Sequence, residues 1–372
     1  MTSLGDEPAR AAAAPPRIAV VVPCYRVKAV VTKVIDGIGP EVWRIYCVDD
    51  ACPEQSGRHI EEHVQDPRVV CLFHEINQGV GGAMLTGYRR ALEDGATVVV
   101  KLDGDGQMDP GLLSAFVGPI LAGECDYTKG NRFYRLADVT AMPWIRMLGN
   151  AALSFMSKAS SGYWNVFDPT NGYTAIHASV LAELPLDKIA KRYFFESDML
   201  FHLGTLRAVV RDVPQRAVYG DEKSSLVISR ILVPFFFGHV RNGLWRLVYT
   251  YLLREFAPAT LEILLGLPLV LFGLIFGITQ WIRLESAGEL ASSGTVMLAA
   301  LPVLVGFQLL LAAVSYDVQN FPRIPLHPRL RFSAESRVRT IVRATAASTA
   351  RASEPAADAA SSEHPSPPLT PG

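Results

Sequence analysis

Val98-Val99-Val100-Lys101-Leu102-Asp103-Gly104-Asp105-Gly106-Gln107-Met108-Asp109-Pro110 decides how the rest of the chain is read. A β-branched apolar run has the character of a buried strand, and here it stops on two carboxylates spaced i, i+2. Residues two apart on extended backbone share a face, so Asp103 and Asp105 can address one object just beyond the strand's carboxyl end. Gly104 and Gly106 let the chain bend and approach a ligand closely. Two carboxylates with the Gln107 carbonyl make a hard oxygen set that suits Mg2+ or Mn2+, whose shell is completed by phosphate oxygens and water. Open α/β sheets bind ligands at such strand ends. Taken alone, the pair would equally suit a solvated Asp/Gly turn. It also lacks the terminal Glu of a longer calcium loop.

Upstream, in Arg17-Ile18-Ala19-Val20-Val21-Val22-Pro23, every residue after Arg17 is apolar, as in a central strand covered on both faces. A helical stretch near Val30–Ile38 leads to a strand, Trp43–Val48, that ends on Asp49-Asp50. Helix signals over Gln55–Val64, a strand at Val69–Phe73 and a helix from Asn77-Gln78-Gly79 to about Glu93 precede the Val98 strand. This alternation predicts an α/β fold with a mostly parallel sheet. Asp49-Asp50, at a strand end like the metal candidate, suits a hydrogen-bond acceptor for a base or ribose. Gly79-Val80-Gly81-Gly82 has half of a dinucleotide fingerprint, but Met84 stands where the third glycine belongs. His59-Ile60-Glu61-Glu62-His63 matches a zinc-protease pattern, yet it falls in a charged helix with no third ligand evident, and a solvated face is the expectation.

The 372 residues exceed one small domain, and 49% of them are hydrophobic, which is high for a wholly soluble chain. A net charge of −1 argues against general nucleic-acid binding, which needs a basic surface. Cys24, Cys47, Cys52, Cys71 and Cys125 form no C-x-x-C pair, and buried reduced thiols are expected. Met1–Pro16 is Ala/Pro-rich without a basic-then-apolar signal and reads as a disordered leader.

Val20-Val21-Val22-Pro23-Cys24-Tyr25, Val48-Asp49-Asp50, Asn77-Gln78-Gly79 and Leu102–Pro110 occur in the order found in family 2 glycosyltransferases. More closely, the chain resembles the dolichol- or polyprenyl-phosphate hexosyltransferase group from Ile18 to about Ser225. The resemblance implies a Rossmann-like GT-A catalytic domain over residues 17–226. It also implies that Pro23, Tyr25, Asp49, Asp50, Gly79 and Asp103 line the nucleotide-sugar site, with Asp103, Asp105 and Gln107 around metal and diphosphate. Further on, Tyr127-Thr128-Lys129-Gly130-Asn131-Arg132-Phe133 is similar to the family's Gly-Ser/Thr-Arg-Tyr segment, with Asn131 in place of the hydroxyl residue. Arg132 and Arg146 match arginines that in the family face the acceptor phosphate, where paired guanidinium groups fit phosphate oxygens. Asn150 stands where Ser is usual. Asp168-Pro169-Thr170-Asn171-Gly172-Tyr173 resembles the family's Asp-Pro-Thr-Ser-Gly turn, which makes Asp168 a candidate for acceptor or sugar contact. Phe194-Phe195-Glu196-Ser197-Asp198-Met199 aligns so that Asp198 takes the place of a general base used when the acceptor is a sugar hydroxyl. Lys223, in Tyr219-Gly220-Asp221-Glu222-Lys223, resembles part of a loop that closes on the diphosphate.

Ile228–Arg254 carries Asn242, Arg246, Thr250 and Arg254 every four residues opposite an apolar face, so amphipathic interfacial helices are expected over 227–257. Ile263–Ile282 and Thr295–Tyr316 are uncharged and long enough to cross a hydrocarbon core of roughly 30 Å. They predict a transmembrane hairpin within 258–318, its spans at about 261–282 and 295–316. Arginines before and after the hairpin, against an acidic loop between, predict that the catalytic domain and both termini are cytoplasmic. Residues 319–372 read as a basic, then Pro/Ala/Ser-rich disordered tail.

The expectation is therefore a membrane-anchored inverting glycosyltransferase. It would use Mg2+ or Mn2+ to move a hexose from a nucleotide diphosphate sugar to polyprenyl phosphate. One alternative is transfer to a lipid-linked saccharide with Asp198 as obligatory base. Another is a catalytically silent scaffold that binds nucleotide sugar. Membrane lipids are expected partners, nucleic acid is not, and homo-oligomerisation is left open.

Overall fold

The computed structural model describes residues 15–134, 144–215 and 228–330. A seven-stranded sheet organises the first half: β1 (Ile18–Cys24), β2 (Val42–Asp49), β3 (Val69–Phe73), β4 (Val98–Lys101), β5 (Tyr127–Asn131), β6 (Thr174–His177) and β7 (Val210–Pro214), in the order β3-β2-β1-β4-β6-β5-β7. Every pairing is parallel except those of β6, which runs antiparallel to β4 and β5. The mostly parallel sheet read from the alternation is thus present.

The continuous apolarity of β1 has its cause in two cores. Ala19 and Val21 enter one, with Tyr46, Val48, Val99, Tyr127 and Ile176. Val20, Val22 and Cys24 enter the other, with Ile45, Cys47, Val98 and Val100. A period of two sends alternate residues to opposite faces, so a strand covered on both sides must be apolar at every position. Helices α3 (Val80–Glu93) and α7 (Phe195–Leu206) supply the first core. Helices α1 (Val31–Asp36), α2 (Ser56–His63) and α4 (Leu113–Leu121) supply the second. Between these lie α5 (Trp144–Ser161) and a single turn, α6 (Ala178–Leu181). All five cysteines are free, four of them buried.

Strand order reverses at β1, which lies between β2 and β4. That switch point opens a crevice at the carboxyl ends of β1 and β4, where Tyr25 and Asp103 emerge.

α8 (Ile228–Leu247) and a π-helical turn, Val248–Arg254, follow the sheet and its helices. The polar stripe expected here faces inward: Asn242, Arg246 and Thr250 are buried, and Arg254 donates to the Thr205 carbonyl. Phe236, Phe237, Leu244, Trp245 and Leu253 point outward instead. α9 (Pro258–Ala287) and α10 (Ser293–Gln319) are each long and apolar enough to span a bilayer, and only 11% of each apolar window is buried within the protein. Gly288 in a left-handed conformation ends α9, and the Ser292 hydroxyl accepts from Thr295 N–H to start α10.

The expected disordered tail begins too early at 319. Residues to Leu330 belong to the same compact unit as the sheet. Asp126 accepts from the backbone N–H groups of Leu326 and His327, and its Oδ1 lies 2.8 Å from His327 Nδ1. A buried carboxylate needs such donors, and the sequence just after the hairpin supplies them. Residues 1–14 and 331–372, which hold most of the leader and tail, lie outside the described residues.

Candidate active site

The two aspartates closing β2 shape loops. Asp49 accepts from Cys52 N–H and Gly57 N–H, both at 2.7 Å, which fixes the turn into α2. Asp50 accepts from Gln78 N–H at 2.8 Å and Gly79 N–H at 2.7 Å, and its Oδ1 lies 2.7 Å from His74 Nδ1. Both carboxylates are buried. They sit at the strand end as expected, with their oxygens already engaged by backbone. Pro23 is the penultimate residue of β1, and Tyr25, just past it, is exposed beside the crevice.

The glycine run opening α3 has a packing cause. Gly79 has φ +88°, and a Cβ at Gly81 would sit 2.5 Å from the Ala190 carbonyl oxygen, so the 190–192 backbone crosses directly over the helix start. Gly82 N–H donates to the Lys191 carbonyl at 2.9 Å. The glycines admit a neighbouring chain segment where the fingerprint would admit a pyrophosphate. The rings of His59 and His63 lie 4.1 Å apart, tilted by 34°, and among the described residues no cluster of three His, Cys, Asp or Glu side chains is placed to hold a metal.

At the end of β4, Asp103 and Asp105 are half-buried, and Asp105 Oδ1 accepts from Gln107 N–H at 3.0 Å. Gln107 itself is exposed. Lys101, fully buried, donates to Asp103 Oδ1 at 2.5 Å and lies 3.4 Å from Glu196 Oε1. Burial pushes its ammonium down, but Asp103 and Glu196 outweigh that and raise it to about 12. A Cβ at Gly172 would fall 2.5 Å from Lys101 Nζ and 2.6 Å from Asp103 Oδ2, so only a glycine lets this turn pack directly on the pair.

Lys101, Thr174, Lys129 and Asp212 form a polar row across β4, β6, β5 and β7, each opposite the next in register. Lys129 donates to the Asn171 carbonyl at 2.5 Å. Its burial brings the ammonium down to about 8, against the pull of Glu196 and Asp168. Burial likewise lifts the Asp212 carboxyl to about 6, and its Oδ1 has no hydrogen-bond partner. Sequence reading missed this row and Glu196. A lysine in each of two buried strands was the available signal, because an unpaired buried ammonium is too costly to be accidental.

Beyond β5, Arg132 grips Asp168 through two nitrogens, Nε at 2.8 Å from Oδ2 and an NH at 3.1 Å from Oδ1. Asp168 is wholly buried, while 35% of the Arg132 side chain is exposed. Thr170 and Asn171 also donate to this carboxylate. The carboxylate, which the resemblance made a candidate for acceptor or sugar contact, has no open surface here and orients Arg132. Asp198 is enclosed in a similar way. It is buried, accepting from Ala190 N–H at 2.8 Å and Asn242 Nδ2 at 2.7 Å. Residues two apart on a helix point about 200° apart, so when Glu196 faces Lys101, Asp198 faces α8. Arg146 lies in the first turn of α5 with its side chain outside the described residues, and Asn150 follows one turn later, half-buried. Lys223 lies outside the described residues altogether.

Two carboxylates at a strand end, an exposed bidentate-capable arginine and a buried ammonium row make a site suited to a nucleotide and a second anion. Residues 19–184 match the model for "Glycosyl transferase family 2". The undecaprenyl-phosphate mannosyltransferase of Micrococcus luteus is 31% identical over 172 residues, covering 46% of this chain and 70% of that protein. The UDP-N-acetylglucosamine–dolichyl-phosphate N-acetylglucosaminyltransferase of Methanococcus voltae is 28% identical over 218 residues, covering 55% and 86%. A crystal structure of glucosyl-3-phosphoglycerate synthase from Mycobacterium tuberculosis, in complex with Mn2+, UDP and glucosyl-3-phosphoglycerate, superimposes with a TM-score of 0.46 at 20% identity, covering 62% of this chain and 80% of that one.

The chain belongs to glycosyltransferase family 2. It is a glycosyltransferase with a GT-A-like mixed sheet, flanking helices and two apolar C-terminal helices.

Proposed function

We propose that the protein transfers a hexose, with inversion, from a nucleotide diphosphate sugar to polyprenyl phosphate at the cytoplasmic face of a membrane. The observation that carries this reading is Arg132, a guanidinium aimed by a fully buried carboxylate and left partly open past the carboxyl end of β5, one strand removed from β4 in the sheet. A planar fork held in this way fits a phosphate. The acceptor phosphate is already an anion at neutral pH, so its oxygen can attack the anomeric carbon without a general base. The burial of Asp198 supports that choice, because the alternative of a saccharide acceptor assigned the base role to Asp198.

Asp103 and Asp105 would hold Mg2+ or Mn2+, a fit supported by their hard oxygens, half-buried at the end of β4. When bound, such an ion offsets the charge that builds on the departing diphosphate. Lys101 holds Asp103 in place through their ion pair, and the exposed Tyr25, just past β1, would meet the nucleoside. The two spans keep the site beside the bilayer. Their arginine-bearing flanks, against the acidic 283–294 loop, favour cytoplasmic termini.

Purified full-length protein in detergent with Mg2+ or Mn2+ should release nucleoside diphosphate from one member of a nucleotide-sugar panel only when undecaprenyl or dolichyl phosphate is present. Asp105→Ala should abolish this by about a thousandfold, the scale of a lost charge-stabilising contact, without unfolding the protein. Release that ignores polyprenyl phosphate, or persists in Asp105→Ala, would overturn the reading.

A further inference from the structure

Asp317 lies in the last turn of α10, where a carboxylate on an otherwise apolar helix is costly unless paired. Three residues from outside the hairpin converge on it. Arg246 of α8 donates through two nitrogens, 2.7 Å to Oδ1 and 2.9 Å to Oδ2. Trp164 Nε1–H donates at 2.7 Å to Oδ2, and the Tyr251 hydroxyl donates to Oδ1. The guanidinium also donates to the Ala159 carbonyl in the last turn of α5, from Nε at 3.2 Å and from an NH at 2.8 Å. Gly162, which follows α5 with φ +82°, leaves room for it: a Cβ there would lie 2.9 Å from the Arg246 nitrogen. One arginine therefore joins the second span to the end of α5. At its other end, about 27 Å away for 18 residues, α5 carries Arg146 and Asn150.

We propose that Asp317 and Arg246 are positioning residues for transfer, fixing α5 and the acceptor end it carries at a set place relative to the membrane hairpin. The inference rests on the lipid-acceptor reading above. An acceptor whose phosphate is confined to the bilayer surface requires the site at one height, whereas a short soluble prenyl phosphate can reach it at any. The pair therefore matters for the first acceptor and little for the second.

The experiment uses full-length protein in phosphatidylethanolamine/phosphatidylglycerol vesicles, with undecaprenyl phosphate or the water-soluble citronellyl phosphate as acceptor. Asp317→Asn and Arg246→Lys should raise KM for undecaprenyl phosphate by about tenfold or more, with kcat for citronellyl phosphate within about twofold of wild type. Asp317→Glu should recover part of the loss. Amide hydrogen exchange at 158–161 should speed up in both variants, a readout that needs no acceptor. Equal losses on both acceptors, or unchanged exchange at 158–161, would overturn the proposal. Wild-type protein that uses neither prenyl phosphate would overturn the acceptor reading alone, and the exchange measurement would then decide the coupling.

Discussion

Arg132 and Asp168 meet as a planar fork and a carboxylate, with both nitrogens within 3.1 Å of separate oxygens and only the arginine reachable from outside. The aspartate's task is to aim the arginine. Arg132→Lys keeps the charge but cannot reproduce the fork, and Asp168→Ala removes the aim. Each should lower kcat/KM for the acceptor by about 10- to 100-fold, while the double variant does no worse than the more damaging single one, because both break one unit. Steady-state kinetics on the four proteins tests this. Additive losses would mean that Asp168 has a separate role.

Glu196 and Asp198 separate by the same logic. Glu196, 14% exposed, faces Lys101, and Asp198 is closed in by Ala190 and Asn242. Glu196→Gln should cut kcat by about tenfold or more through the Lys101–Asp103 pair. Asp198→Asn should instead lower stability by about 1–3 kcal/mol, the cost of disturbing a buried hydrogen-bonded group, with kcat per folded molecule nearly unchanged. Thermal unfolding measured beside turnover distinguishes them. The reverse pattern would restore Asp198 as the base.

These two cases show what the sequence could reveal. The strands were legible because covered strands are apolar on both faces, and Val98–Val100 and Ile18–Cys24 are. Asp103 and Asp105 were legible because they close a buried strand two residues apart within an ordered set of motifs; alone, the pair would have suited a solvated turn. Which carboxylate in Phe195–Met199 faces the crevice depends on the helical phase of α7, and the alignment of a short motif does not fix that phase. Lys101 and Lys129 were hidden for a related reason: Glu196 and Asn171, which face them, come from distant segments that meet only once β6 is inserted between β4 and β5. The clasp of 320–330 on Asp126 was hidden likewise, since it joins positions about 200 residues apart.

Gly81 carries a prediction about the tempting fingerprint. With the Ala190 oxygen 2.5 Å from the position of an added Cβ, Gly81→Ala must push the 190–192 segment off α3. Overpacking of that kind costs about 1–3 kcal/mol, so the midpoint of thermal unfolding should drop by several degrees. Nicotinamide dinucleotide should bind neither protein in a calorimeter. Dinucleotide binding by wild type, lost in the variant, would return these glycines to a phosphate-binding role.

Lys129 provides a test of the buried row by pH. Its ammonium sits at about 8 in the folded protein because burial disfavours the charge, against 10.5 when exposed. Between those values the unfolded chain binds more protons than the folded one, so stability rises with pH across this window. Below about 8 the protein carries the full cost of a buried ammonium; above 10.5 the lysine is neutral in both states and the cost is gone. Lys129→Met removes the titration. Its stability minus that of wild type should therefore be largest below pH 8 and fall by roughly 3 kcal/mol by pH 10.5, at 1.36 kcal/mol per unit. Denaturant unfolding of the two proteins in detergent, repeated across that range, measures the difference directly. A flat difference would mean that Lys129 keeps its ordinary affinity for the proton, and that Glu196 and Asp168 compensate its burial in full.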